Sequence, residues 1–426
     1  MRRWNLSRGA ASVCIAAALL AGCGGSPPLT GVPGAMPQSD AIGDATHYKV
    51  LHSFNGQDGQ APLASLIELN GTLYGTSSSG GANGDGTVFS ITADGDEHVL
   101  HSFGPLSGSD GVYPAAALID VNGTLYGTTA DGGNPITGGG TFFSVATNGT
   151  ERVLHDFGER PTAPSFPAAS VIDVNGTLYS TSDWGGRQRY TGTAFQVSTH
   201  GRVRTIYSFA SYPGDGYFPS TGVIDVNGRF YGTTYIGGVY GTHCAYCPGD
   251  GTFFSLSPAG TEHVLHSFGH RSDGVFPEAP LIDVKGILYG TTFQGGAHRD
   301  GIVFRIDTAG AEKVLYSFQG GTDGANPAAG LIDVNGTLYG TTQWGGRVSS
   351  KCTSPFGNSG CGTIFSLHSN GSAEHVLHRF GTGSDGQSPV AGLLYMNGTL
   401  YGTTSRGGAG PCYRGTGCGT VFALTL

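Results

Sequence analysis

The stretch LIDVNGTLYGTT, residues 118–129, decides the fold of this chain. Asn122-Gly123 at its centre favours a two-residue hairpin turn, because both central residues of a type I′ turn need a positive φ. The flanking LIDV and TLYGTT segments are rich in β-branched and aromatic residues, as strands are. The stretch therefore predicts an antiparallel hairpin, whose strands we call A and B.

This hairpin belongs to a unit that recurs seven times from Tyr48 onward. A Gly-Gly pair follows the hairpin, then a GTxFS segment that predicts strand C and a VLHSF segment that predicts strand D. The tyrosines of strand B mark the period: Tyr74, Tyr126, Tyr179, Tyr231, Tyr289, Tyr339 and Tyr401. Spacings of 50–62 residues are typical of propeller blades. We predict an all-β, seven-bladed β-propeller with four antiparallel strands per blade over residues 47–426.

The two ends of the repeat region predict how the ring closes. A D segment, Val50–Phe54, precedes the first complete unit, and the last unit stops after its C segment, Gly419–Leu424. The N-terminal strand should therefore supply the fourth strand of the last blade, which removes two open sheet edges.

The N-terminus carries the features of an exported lipoprotein. Arg2 and Arg3 precede an apolar run from Ala10 to Leu20, which is too short for a membrane span. The sequence ending in Cys23 resembles a bacterial lipobox, although a plain secretory signal is an alternative. We expect a signal peptide over residues 1–22, lipidation of Cys23 and a flexible tether over residues 23–46. Gly24 after the cysteine favours an outer-membrane lipoprotein that faces the periplasm or the cell surface.

The segments NGTLYGTT, GG and GTVFS, repeated from about residue 50 to the C-terminus behind this lipobox, resemble the choice-of-anchor tandem-repeat proteins called GloVer-containing. The resemblance implies a bacterial envelope lipoprotein with propeller-like repeats. It implies no reaction and no catalytic residues.

Cysteine usage agrees with export to an oxidising compartment. Six cysteines lie as close pairs in the longest loops, and we expect the disulfides Cys244–Cys247, Cys352–Cys361 and Cys412–Cys418. A redox pair at the first position and a zinc site formed by the four later cysteines are the alternatives.

Composition excludes several classes of function. Charged residues make up 12% of the chain and the net charge is −9, so no basic patch for a nucleic acid or a membrane surface is predicted. The 76 glycines exclude a mainly helical protein. No catalytic or cofactor motif is present. We expect a monomer without a cofactor or a metal.

Residues that recur in every blade are interpreted as packing. The strand B tyrosines should pack between neighbouring blades. Strand D carries histidines that we expect to form hydrogen bonds between strands: His52, His101, His155, His266 and His378. Six of the seven A strands carry an acid at one position, whereas the seventh has Tyr395, and we expect these acids to cap the A–B turn rather than to ring a cation in the channel: Glu68, Asp120, Asp173, Asp225, Asp283 and Asp333.

Variable residues should carry function, and they concentrate on the long D–A and B–C loops, which share one face of the ring. The candidate ligand-binding residues are Trp184, Arg187, Arg189, Tyr190, Tyr235, Phe293, Trp344, Arg347 and Arg406. An aromatic plane beside a planar donor can stack on a sugar or anchor a protein loop. The alternative is that the tryptophans only cover the tops of their blades.

Three functions are compatible with this sequence. The preferred one is a binding module for a glycan or another envelope polymer. The second is a glycan hydrolase or lyase that uses acids from several blades at the mouth of the channel. The third is a structural envelope protein that meets only protein partners.

Overall fold

The computed structural model describes residues 47–105, 109–134, 136, 138–160, 162–188, 190–210, 214–241, 249–347, 349, 352–381 and 384–426. Outside these residues lie the segments predicted as signal peptide and tether, together with Cys23, Arg189, Cys244 and Cys247. The part of the chain described here contains no helix with the length and hydropathy that a membrane span requires.

The predicted propeller is confirmed: seven four-stranded antiparallel sheets follow one another along the chain. In chain order the strands are β1 (His47–Ser53); in blade 1, β2 (Ile67–Leu69), β3 (Thr72–Ser77), β4 (Thr87–Ile91) and β5 (Glu97–Ser102); in blade 2, β6 (Gly111–Val112), β7 (Ile119–Val121), β8 (Thr124–Thr129), β9 (Asp131–Gly132), β10 (Thr141–Ala146) and β11 (Glu151–Asp156); in blade 3, β12 (Ile172–Val174), β13 (Thr177–Ser182), β14 (Thr193–Val197) and β15 (Val203–Ser208); in blade 4, β16 (Gly216–Tyr217), β17 (Val223–Val226), β18 (Arg229–Thr234), β19 (Ile236–Gly237), β20 (Thr252–Leu256) and β21 (Glu262–Ser267); in blade 5, β22 (Gly274–Val275), β23 (Ile282–Val284), β24 (Ile287–Thr292), β25 (Gln294–Gly295), β26 (Ile302–Asp307) and β27 (Glu312–Ser317); in blade 6, β28 (Gly324–Ala325), β29 (Ile332–Val334), β30 (Thr337–Thr342), β31 (Trp344–Gly345), β32 (Thr363–His368) and β33 (His375–Arg379); in blade 7, β34 (Gly386–Gln387), β35 (Leu394–Met396), β36 (Thr399–Thr404), β37 (Arg406–Gly407) and β38 (Thr420–Thr425). One helical turn, α1 (Cys412–Gly415), precedes β38.

The ring closes as predicted. The sheet of blade 7 has the order β1-β38-β36-β35, so the first strand of the domain pairs antiparallel with the last. Phe54, directly after β1, is fully buried, and its N–H donates to the carbonyl of Gly419. Closure therefore rests on both a hydrogen-bonded ladder and apolar burial.

The short-turn face carries the A–B hairpins, and five of the six predicted acids cap their turns; the prediction is wrong for Asp225, whose Oδ1 is buried without a hydrogen-bond partner among the described residues. Asn122 and Gly123 have φ values of 54° and 82°, and Asp120 Oδ1 accepts the N–H of Gly123 at 2.9 Å. The same bond forms at Glu68, Asp173, Asp283 and Asp333. These acids are engaged by their own turns, so the turn interpretation is confirmed for them.

Neighbouring blades pack through large side chains on strands B and C. Tyr74 of blade 1 lies in one buried cluster with Leu118, Leu125 and Phe143 of blade 2, which confirms the predicted role of these tyrosines. The repeated glycine of strand B faces this layer. A Cβ on Gly290 would lie 2.7 Å from Leu281 Cδ2 and from Phe304 Cζ, so close packing excludes a side chain there.

Every C–D pair contains a β-bulge that the sequence did not reveal. In blade 1 the register shifts between Val88 and Phe89, so Leu100 is an extra residue between Val99 and His101 on the strand opposite. The bulge turns the histidine toward the following loop. His101 Nε2 lies 3.1 Å from Asp110 Oδ2. The predicted hydrogen bond between strands is therefore wrong, because the histidine forms its hydrogen bond with an aspartate of the D–A loop.

Candidate functional site

The long-loop face is built from two loops in each blade, held together by a short ladder. In blade 2, Gly111 and Val112 of the D–A loop pair with Gly132 and Asp131 of the B–C loop. Blades 4 to 7 repeat this pairing, and blades 1 and 3 form single bridges at the same place, Gln60 with Ser79 and Ser165 with Trp184. Rigid strands thus position the residues that flank these bridges.

One residue per blade has a left-handed backbone at this face, directly before the repeated proline. These residues, with φ between 52° and 60°, are Ala61, Tyr113, Phe166, Phe218, Phe276, Asn326 and Ser388. Phe166 shows how the conformation is held: its N–H donates to the carbonyl of Gly139 in blade 2, and its carbonyl accepts the N–H of Asp183. A left-handed bulky residue costs about 1 kcal/mol or more, so these two bonds must stabilise it.

In each blade the left-handed residue before the proline lies beside the first residue after strand B. The seven blades therefore contribute fourteen such positions, which form a ring around the face. The ring is chemically asymmetric. Blades 3 to 5 and one adjoining loop contribute a surface that we call the aromatic arc: Phe166, Trp184, Tyr190, Tyr217, Phe218, Tyr235, Phe276, Phe293 and Phe356. Blades 6, 7 and 1 contribute what we call the polar arc: Ala61, Ser78, Asn326, Gln343, Ser388 and Ser405.

The aromatic arc consists of rings in direct contact. Trp184 lies between Phe166, at a centroid distance of 4.2 Å, and Tyr190, at 5.7 Å with the rings perpendicular. Tyr235 lies 5.0 Å from Phe276. The Tyr190 side chain is 61% exposed, whereas Trp184 and Tyr235 are half-buried, so the arc presents ring surface to solvent on a packed base.

The polar arc is a set of hydrogen-bonded side chains. Gln343 Nε2 donates to Ser388 Oγ at 3.2 Å, and Ser405 Oγ donates to the carbonyl of Ser388 at 2.9 Å. Ser78 Oγ makes the equivalent bond to the carbonyl of Ala61 at 3.0 Å. These groups satisfy one another and offer little apolar surface.

Two carboxyl groups lie within the aromatic arc. Burial raises the pKa of Asp183 to about 7 and that of Glu278 to about 8. Asp183 Oδ1 is buried and has no hydrogen-bond partner among the described residues. Burial, reinforced by the negative charge of Glu278, also raises the pKa of Tyr235. Both acids are therefore protonated for part of the physiological pH range, when they can donate a hydrogen bond as well as accept one.

The structure separates the two candidate tryptophans. Trp184 is half-buried and Arg187, three residues later, is exposed, whereas Trp344 is only 8% exposed and packs in one buried cluster with Cys352 and Cys361. Arg347 and Arg406 are exposed on blades 6 and 7, and Phe293 is 7% exposed. The aromatic arc therefore brings together Trp184, Tyr190, Tyr235 and Phe293, while Trp344, Arg347 and Arg406 lie on the other blades.

Two predicted disulfides are confirmed, Cys352–Cys361 and Cys412–Cys418. The first closes a loop that reaches from blade 6 to the aromatic arc. Phe356 of this loop lies 5.6 Å from Phe293, and Asn358 Nδ2 donates to Asp300 Oδ1 at 2.9 Å. The disulfide thus preorganises one edge of the arc.

Sequence reasoning missed Phe166, Phe218, Phe276 and Glu278, as well as Tyr217 and Phe356. The first three occupy the variable position before the repeated proline, and Glu278 occupies the position after it. These four residues could have been found because the positions on either side of the repeated proline vary from blade to blade, whereas the proline itself is constant. Comparison of the D–A loops, alongside the B–C loops, would have shown aromatic residues at that position in blades 2 to 5.

One family of repeat proteins matches most of the chain. A sequence profile described as the Gloeobacter/Verrucomicrobia repeat matches residues 41–246 and, overlapping, residues 136–354. No curated protein has significant sequence similarity to the chain.

The chain is also similar to several solved structures. One is an oligogalacturonate lyase in complex with manganese, with 9% identity over 90% of this chain and 91% of that chain and a TM-score of 0.49. Another is the oligogalacturonate lyase from Vibrio parahaemolyticus, with 8% identity over 89% of this chain and 97% of that chain and a TM-score of 0.48. A third is the quinohemoprotein alcohol dehydrogenase from Comamonas testosteroni, with 12% identity over 89% of this chain and 76% of that chain and a TM-score of 0.49. At these identities the likeness concerns the fold alone.

Proposed function

The chain belongs to the Gloeobacter/Verrucomicrobia repeat family, and on that premise we propose that it is a lipid-anchored module of the bacterial cell envelope that binds a glycan through its aromatic arc. The propeller with its repeated units supports a binding or interaction module. The glycan, the anchor at Cys23 and the outer-membrane location are the proposal.

The observation that carries the proposal is the asymmetry of the long-loop face. Among the six equivalent backbone positions of blades 3 to 5, five hold aromatic rings, whereas five of the six in blades 6, 7 and 1 hold small hydrogen-bonded polar side chains. A packing requirement common to all blades would select the same residue type in each. Partly exposed rings suit the apolar faces of pyranoses, and the carboxyl groups of Asp183 and Glu278 suit their hydroxyl groups.

Binding is tested by calorimetric titration with neutral and uronic-acid oligosaccharides. We expect Trp184→Ala and Tyr235→Ala each to weaken binding at least tenfold, with a melting temperature within a few degrees of wild type. The matched control is Gln343→Ala, which alters the position equivalent to Tyr235 in the polar arc and should leave binding unchanged. Equal losses for Tyr235→Ala and Gln343→Ala would remove the aromatic arc from the site.

The raised pKa values of Asp183 and Glu278 support a second candidate function, glycan cleavage, because a protonated buried carboxyl group can serve as a general acid. Analysis of oligosaccharides after prolonged incubation distinguishes the two. Product that Asp183→Asn or Glu278→Gln abolishes would establish an enzyme, whereas retention of intact ligand supports the binding module. Retention of protein partners with no oligosaccharide binding would instead indicate a structural envelope protein.

The anchor is tested separately. Labelled palmitate should be incorporated into the wild-type protein in a bacterial host, and Cys23→Ser should abolish the label and release the propeller from the membrane fraction.

A further inference from the structure

A group of polar side chains recurs at the boundary between neighbouring blades, away from the aromatic arc. Each group contains three side chains. The first is the histidine of strand D that follows the bulge, the second is the aspartate of the D–A loop after it, and the third is the glutamate at the start of strand D in the next blade. At the boundary between blades 7 and 1 these are His52, Asp58 and Glu97. At the boundary between blades 1 and 2 they are His101, Asp110 and Glu151.

At these two boundaries the potential ligand atoms of all three side chains lie within 4.8 Å of one another. His52 Nε2 lies 3.1 Å from Asp58 Oδ2, and His101 Nε2 lies 3.1 Å from Asp110 Oδ2. Adjacent ligands at bonds of about 2.0–2.2 Å to one ion are separated by roughly 3.0–3.5 Å in tetrahedral or octahedral geometry. The two His–Asp pairs already have this spacing, and the glutamate oxygen, within 4.8 Å of them, would have to move closer to share an ion.

The aspartates of these trios are held in place by donors to both carboxylate oxygens, with Asn55 Nδ2 donating to Asp58 Oδ2 at 2.8 Å and the N–H of Gly104 donating to Asp110 Oδ2 at 3.1 Å. Asp110 Oδ1 accepts the N–H of Gly111 at 2.7 Å, and Asp58 Oδ1 accepts the N–H of Asn55 at 2.8 Å. Such bonds orient a ligating carboxylate. Oε1 of Glu97 and Oε1 of Glu151 are each buried without a hydrogen-bond partner among the described residues. A buried carboxylate oxygen beside a second carboxylate is stabilised by a nearby positive charge.

We propose that these two trios bind divalent cations, one ion per trio, as clamps that join blade 1 to both of its neighbours. One imidazole and two carboxylates favour a first-row transition ion such as Zn²⁺, with the fourth position left to water. A calcium ion would need six or more oxygen ligands, more than the trio offers. The first clamp lies beside β1, so it also reinforces the closure of the ring.

The chain contains its own controls at other boundaries. Tyr207 and Tyr316 replace the histidine at two of them, and their hydroxyl groups donate to Asp215 at 2.9 Å and Asp323 at 3.0 Å. At the boundary between blades 6 and 7, Tyr48 takes the place of the glutamate and stacks on His378 at 3.7 Å. A tyrosine at either position is thus compatible with the fold and removes a metal ligand.

The experiment is a calorimetric titration of the EDTA-treated protein with Zn²⁺, together with melting curves. We expect wild type to bind two more equivalents than the double variant His52→Tyr/His101→Tyr, and only wild type to gain several degrees in melting temperature from Zn²⁺. Glu97→Gln/Glu151→Gln should lose the same two equivalents. The matched control Glu262→Gln/Glu374→Gln, at the tyrosine-bearing boundaries, should retain them.

Equal Zn²⁺ stoichiometry in wild type and both ligand variants would overturn the proposal. Because tyrosine already occupies the histidine position at two boundaries, the histidine variants should fold, and their circular dichroism spectra check this directly. Equal stoichiometry would mean that the glutamates are neutralised by a proton instead.

Discussion

The two faces of the ring have diverged to different extents. On the short-turn face five blades carry an acid that accepts the same hydrogen bond from the glycine of its own A–B turn. On the long-loop face one backbone conformation, with φ between 52° and 60°, carries alanine, tyrosine, phenylalanine, asparagine or serine. Residues that are the same in most blades therefore make contacts within the blade. Residues that vary on a constant backbone are the ones available to bind a ligand.

The largest expected effect comes from breaking the repeated scaffold at its closure. Deletion of residues 48–54 removes β1, with its ladder to β38, and the buried ring of Phe54. The exposed edge of β38 should then pair between molecules, so we expect aggregation and loss of the cooperative melting transition.

The control for this deletion is removal of residues 24–46, which should leave melting unchanged. Size-exclusion chromatography and calorimetry measure both variants. A monomeric deletion variant that melts like wild type would contradict the role assigned to β1.

A smaller effect is expected inside a blade, where blade 3 departs from the repeat. Ser180 replaces the strand B glycine there, and Val171 replaces the leucine that would crowd it. The first change alone can be made in blade 5 as Gly290→Ser. We expect it to lower the free energy of unfolding by about 1–3 kcal/mol, because the added side chain overpacks against Leu281 and Phe304.

Adding Leu281→Val should restore part of this loss, so chemical denaturation of both single variants and the double variant forms a mutant cycle. We expect a favourable coupling energy. Additive losses would mean that blade 3 accommodates its serine by another route. Glycan binding should be unaffected in all three variants, since the site lies on the long-loop face.

The smallest effect in this series is a pH dependence of the blade boundaries. Burial raises the pKa of Glu262 to about 8 and the pKa values of Glu312 and Glu374 to about 7. The native state therefore binds more protons than the unfolded chain between about pH 4.5 and 8, and these groups lose their stabilising contribution as pH rises through that window.

Differential scanning calorimetry in EDTA from pH 5 to 9 measures this effect. We expect Glu262→Gln/Glu312→Gln/Glu374→Gln to flatten the decline of the melting temperature, because glutamine resembles a protonated glutamate. Parallel curves for variant and wild type would contradict buried, protonated glutamates at these boundaries.

Sequence reasoning reached the fold because its evidence is local. The Asn122-Gly123 turn, the period of the strand B tyrosines and the orphan D segment together predicted the blades, their number and the closure by β1. It reached half of the site. Trp184, Tyr190, Tyr235 and Phe293 were found because they vary in the B–C loops, but Phe166 and Glu278 were not, since their proximity depends on a neighbouring loop.

The turns, the strands and the order of the blades followed from the sequence alone. They depend on the φ preferences of turn residues and on the alternation of side chains along a strand, and both are set by a few neighbouring residues. Only the tertiary structure decided which histidine meets which aspartate and glutamate, that Trp344 is buried while Trp184 is not, and that aromatic residues gather on one half of a face. These contacts join residues 6 to 55 positions apart, through bulges and left-handed residues that form as neighbouring blades pack.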